Sequence, residues 1–74
     1  MYVMDEIDHA EVARIEENQG ACIRDIIRPF FTVKSESVLR HRIELMAAHG
    51  IIRLQKEKGV VRCYLPESGK GDEL

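Results

Sequence analysis

The 74-residue sequence has no apolar run near the roughly 20 residues that a membrane-spanning helix requires. Nor does it open with a basic stretch followed by an apolar one, the mark of a secretory signal. The closing Gly71-Asp72-Glu73-Leu74 is similar to an endoplasmic-reticulum retention signal but lacks its lysine, and without a signal peptide the likeness is read as chance. The expectation is a cytoplasmic protein with no membrane partner. Cysteine is scarce as well. Cys22 and Cys63 are too few for a disulfide framework, and their apolar neighbours predict reduced, buried thiols. His9, His41 and His49 have no companion at metal-ligand spacing, so no metal is expected. The chain also lacks a nucleophile–base pair, a glycine-rich phosphate loop and a constellation of paired carboxylates. Neither catalysis nor a cofactor is expected, and no internal repeat is present.

What the chain does have is enough apolar content, 45 %, for one small core. At this size only about 60–65 % of the unfolded chain's surface is buried, so nearly every large apolar side chain must contribute. A second feature is segregated charge behind a net −2. Residues 1–20 set Asp5, Glu6, Asp8, Glu11, Glu16 and Glu17 against Arg14, a net −5. Residues 21–66 set Arg24, Arg28, Lys34, Arg40, Arg42, Arg53, Lys56, Lys58 and Arg62 against Asp25, Glu36, Glu44 and Glu57, a net +5. Such asymmetry bears on a polyanionic partner more than the total does.

The apolar spacing orders the elements. Tyr2-Val3-Met4 is a short apolar start that reads equally as a strand, an arm or the first turn of a helix. Asp8 and Glu11 stand at capping-box spacing, predicting a first helix from about His9 to Asn18 with Val12 and Ile15 inward and Gly20 as its stop. The acidic residues at 5–17 read as a solvated face or a negative contact surface. Ile23, Ile26, Ile27 and Phe30 fall at i, i+3, i+4 and i+7, a helical core stripe. Pro29 ends that helix near Arg28, which proline pushes from the α region. Phe30 to Val33 form a turn that plugs the core with a ring. Ser35 caps a third helix to about His49, with Leu39, Ile43 and Met46 inward and Gly50 as stop. After Gly50 the period becomes two. Ile52 to Gln55 and Val61 to Leu65 alternate around the turn-forming Lys56-Glu57-Lys58-Gly59, which reads as a β-hairpin. The predicted core is Ile26, Ile27, Leu39, Ile43, Met46, Ile52 and Leu65. The domain is expected to span 1–66, with a disordered tail over 67–74.

Two helices around a tight apolar turn, followed by a hairpin, resemble the winged helix-turn-helix superfamily, particularly regulator domains of the GntR and MarR kind. The resemblance lies in Ser35 followed by Leu39, Ile43 and Met46, then Gly50-Ile51-Ile52 and the closing Tyr64-Leu65. Val38 and Glu36 depart from it, standing where GntR-like domains often carry threonine and arginine. The fold it implies is α+β, three helices and a two-stranded wing.

The function it implies is sequence-specific binding of double-stranded DNA, as a small transcription regulator acting as a homodimer. The third helix of such a domain enters the major groove, and its N-terminal half reads base edges. Arg40 then suits a guanine, and Ser35 or Ser37 a phosphate. Lys34 and His41 complete the helix side of the surface. Glu36 could accept a hydrogen bond from a cytosine amine. Arg53, Lys56, Lys58 and Arg62 form a basic wing for the phosphate backbone. The N-terminal arm and the first helix are the expected dimer surface, with Tyr2, Val3 and Met4 supplying the contact. The rival is a winged-helix protein-interaction module that meets its partner through the acidic N-terminal region.

Overall fold

A computed structural model describes residues 2–66, and the tail expected over 67–74 lies outside the described residues. The order of elements is α1 (Glu6–Glu17), α2 (Ile23–Ile27), a 3₁₀ turn (Arg28–Phe30), α3 (Glu36–Ala48), β1 (Arg53–Glu57) and β2 (Val60–Tyr64). Three helices followed by an antiparallel two-stranded hairpin make an α+β fold with the layout of a winged helix.

Helix α1 starts three residues earlier than the spacing predicted. Its capping box pairs Asp5 with Asp8 rather than Asp8 with Glu11. The Asp8 backbone N–H donates to Asp5 Oδ1 at 2.8 Å, and the Asp5 N–H donates to Asp8 Oδ2 at 3.1 Å. Both spacings offer the same chemistry, and the Asp5–Asp8 pair is the one that also places the Asp8 carboxylate against Arg42 and Tyr2. Ile15 is fully buried and Val12 only half-buried.

Pro29 also acts differently from expectation. Arg28 keeps a helical backbone (φ −51°, ψ −43°), and the chain tightens into the 3₁₀ turn instead of leaving the α region. Proline's missing N–H removes one donor, and the tighter winding accommodates that loss. Phe30 and Phe31 then pack half-buried against the core.

Ser35 caps α3 as expected, its Oγ accepting from the Val38 N–H at 3.4 Å. The other end closes in a Schellman motif. Gly50 turns at φ +78° while the Ile51 N–H reaches Met46 O at 2.9 Å and the Gly50 N–H reaches Ala47 O at 3.1 Å. Between these ends Leu39, Ile43 and Met46 are fully buried, joined in the core by Ile15, Ile23, Ile26, Ile27, Ile52 and Cys63. Leu65, expected in that core, stays half-buried at its edge.

The hairpin is tighter than expected. Its turn is Lys58-Gly59 alone, both at positive φ (+50° and +82°), and Lys56 lies within β1 opposite Val61. Two consecutive positive-φ residues give the primed turn whose twist matches that of paired strands. The segment before α2 adds a further rung, a bridge between Cys22 and Arg62 supported by Gly20 N–H to Cys63 O and Cys63 N–H to Ala21 O, both at 2.9 Å. Side chains alternate along a strand, so Cys22 shares a face with Arg62 while Cys63 points to the other. Cys63 is fully buried and Cys22 half-buried, both as free thiols. Among the described residues no helix is long and apolar enough to cross a membrane.

Candidate nucleic-acid interface

Three sides of α3 meet three environments. Leu39, Ile43 and Met46 face the core. Arg42 and His49 lie under the N-terminal arm, where Tyr2 stacks on His49 (centroids 5.3 Å apart) and the Arg42 guanidinium lies 5.0 Å from the Tyr2 ring centroid. The third side carries Ser37, Arg40, His41 and Glu44. Ser37, His41 and Glu44 are exposed, and Arg40 is half-exposed beside Glu36 one turn earlier, at 3.8 Å. Lys34 and the capping Ser35 lie exposed at the mouth of the same helix. The helix therefore gathers five of the expected contact residues at one end.

The hairpin divides the other four. The register puts Arg53, Gln55 and Glu57 on one face with Tyr64, Arg62 and Val60. Leu54 and Lys56 share the opposite face with Cys63 and Val61, so Lys56 extends the core side of the ribbon into solvent. Lys58 stands at the tip. Arg53 covers Tyr64, 4.5 Å from the ring centroid, and donates to Gln55 Oε1 at 2.9 Å. Arg62 donates to Gly20 O at 2.6 Å and lies 3.2 Å from Glu57 Oε1. It braces the strand to the loop after α1. Sequence spacing grouped these cations as one basic wing, but the strand pairing sends them to two faces and a tip.

A second charged cluster, between α1, the arm and α3, was not foreseen. Asp8 is 1 % exposed. The Arg42 Nε donates to its Oδ1 at 3.3 Å, Arg42 Nη2 donates to its Oδ2, and the Tyr2 hydroxyl donates to the same Oδ2 at 2.9 Å. Arg42 also reaches Asp5 at 3.5 Å and the Val3 carbonyl at 3.4 Å. Burial pushes the Asp8 carboxyl up, but the bonds from Arg42, the Asp5 N–H and Tyr2 outweigh it and hold Asp8 below the usual carboxylate range. Burial and the Asp8 carboxylate push the Tyr2 hydroxyl up to about 12. One turn on, Glu11 is 0 % exposed, and neither carboxylate oxygen has a hydrogen-bond partner among the described residues.

One signal for this cluster was present in the sequence. Asp8, Glu11, Val12 and Ile15 stand at i, i+3, i+4 and i+7, so two carboxylates share the apolar stripe of α1. Reading residues 5–17 as a solvated face passed over that period. The arm, too, is engaged within its own chain. Tyr2 and Met4 are half-buried against the core, and of the expected dimer contacts only Val3 stays exposed, at 75 %.

Among the described residues no group of three or more histidine, cysteine, aspartate or glutamate side chains converges as a metal site would. Comparison with known proteins adds no relative: no family model, curated protein or solved structure matches the chain.

Proposed function

We propose that this chain binds duplex DNA as a small homodimeric transcription regulator, with the outer side of α3 in the major groove and the hairpin against the sugar-phosphate backbone. The observation that carries the reading is the state of α3. One side packs in the core, Arg42 and His49 on a second meet the arm through Tyr2, and the side bearing Ser37, Arg40, His41 and Glu44 faces solvent. Lys34 at its mouth and Lys56 and Lys58 on the hairpin are exposed, with no carboxylate within ion-pair distance among the described residues. Arg40 is held only by a half-exposed pair, a contact worth about 0.3–0.5 kcal/mol in a helix. It can exchange Glu36 for two acceptors on a guanine.

One observation favours a second reading, a protein-interaction module. Internal carboxylates already pair with Arg28, Arg42 and Arg62 as well as Arg40, which lowers the pull on a polyanion. Val33 is 64 % exposed beside an open cleft that it lines with Asp5, Glu6, Ile7 and Lys34. An apolar residue rimmed by both signs of charge suits a protein surface more than a phosphate backbone.

Fluorescence titration of wild type, Arg40→Ala and Lys58→Ala separates the readings. For a base reader, Arg40→Ala costs roughly 1–3 kcal/mol and relaxes preference at one base position. Lys58→Ala weakens binding on selected and random duplexes alike and lowers the salt slope by about one unit. Equal, sequence-independent losses would leave only non-specific attraction. No binding by wild type at low salt would sink the DNA reading and favour the protein module.

A further inference from the structure

The most unusual group in the molecule is Glu11. Its side chain is fully buried, and both oxygens lie without a hydrogen-bond donor among the described residues. A buried carboxylate is expensive unless paired, so the favoured form here is the neutral acid. The titratable and charged groups around it come from every side. On α1 there is Asp8, on the arm Asp5, on α3 Arg42 and on β2 Cys63. Arg42, the one cation, is already engaged by Asp8 and Asp5. Cys63 stays a neutral thiol, since burial and then the neighbouring Cys22 and Glu11 charges push it up to about 12. Ionised Glu11 would thus meet two carboxylates, a buried thiol and no free donor.

We infer that Glu11 is a proton-operated latch: as the neutral acid it lets α1 seat against α2 and β2 beside the arm's contact with α3, and loss of its proton loosens that seat. The arm covers one side of α3 through Tyr2 and Arg42, so the latch couples proton concentration to the surroundings of the helix with the exposed polar face. The inference rests on packing and is independent of what α3 binds. Burial first, then the Asp8 and Asp5 charges, push the Glu11 carboxyl from its ordinary 4.5 to about 7. The folded chain therefore keeps a proton that the unfolded chain has released. Stability is whole below the ordinary glutamate value, falls as pH rises through this window, and levels off above about 7.

The test compares wild type with Glu11→Gln by urea unfolding at intervals from about pH 5 to pH 8.5. Wild type should lose on the order of a hundredfold in its folding equilibrium constant across that range. Glu11→Gln, which keeps the shape but cannot ionise, should be nearly flat. The two proteins share every other ionisable group, so those contributions cancel in the comparison. Two measurements on wild type alone stand even if the variant folds poorly. The Glu11 carboxyl carbon, followed by NMR, should titrate near neutrality. Amide exchange in α1, corrected for intrinsic base catalysis, should accelerate with pH before that of α3. Parallel stability profiles for the two proteins, or a Glu11 carboxyl titrating below about pH 5, would overturn the latch.

Discussion

The charged seam where Asp8 of α1 meets Arg42 of α3, and the solvent-facing side of α3 with the hairpin, use the same charged residue types to opposite ends. In the seam Asp8 is 1 % exposed and Arg42 is fixed by two carboxylates, a carbonyl and a ring. On the outer side Arg40 and Glu36 are each 39 % exposed and meet through one long contact. Burial is the difference. Removing one partner from water-excluded surroundings leaves the other charge uncompensated, whereas removing one from a solvated pair changes little. The acidic N-terminal third is therefore not one negative surface. Part of it is a fastening inside the fold, and only Asp5, Glu6, Glu16 and Glu17 remain exposed.

The contrast can be broken most directly with arginine. Arg42→Ala should lower stability several times more than Arg40→Ala does, because Asp8, 1 % exposed, would be left charged without its cation. Arg40→Ala should cost about 0.5 kcal/mol or less. Urea unfolding of both variants measures this, and similar losses would mean that the seam is no more consequential than the surface.

A smaller effect sharpens the comparison through pH. Asp8 is held below its ordinary 3.8, so its contribution is present above that value and is lost as pH falls through the depressed one. Acid should thus weaken the seam from one side while Glu11 weakens it from the other as pH rises from its ordinary 4.5 toward about 7. Asp8→Asn should flatten the acid limb of the stability profile below about pH 4. An unchanged acid limb would show that other carboxylates govern acid unfolding.

The smallest effect belongs to the hairpin tip, the element farthest from the seam in character. Lys58 is the only non-glycine residue at positive φ among those described. Asparagine tolerates that conformation better, and Asn-Gly is the preferred pair for this turn. Lys58→Asn should raise stability by a few tenths to about 1 kcal/mol, read as a shift in thermal midpoint. A loss would indicate that the lysine side chain makes a contact the turn depends on.

The local order of the fold was legible in the chain because it follows from short-range rules. Ser35 and Gly50 bound α3 through groups a few residues away, and Leu39, Ile43 and Met46 repeat at the helical period whatever packs against them. The hairpin followed from alternation on either side of Lys56 to Gly59, although pairing extends through Glu57 and leaves Lys58-Gly59 alone as the turn. Of the candidate interface, the helix portion was legible for the same reason, since the core stripe of α3 leaves its opposite side outward.

Tertiary structure alone decided which charges are buried. Asp5, Asp8 and Glu11 offer two equivalent capping boxes, and the choice fell to the one that lets Arg42, 34 residues beyond Asp8, close on it. Strand register sent Arg53 and Arg62 to one face and Lys56 to the other. Arg62 became a brace because the loop at Gly20 runs alongside β2. Sequence spacing carries side-chain periodicity, but a charge's environment depends on segments distant along the chain, and only packing brings those together.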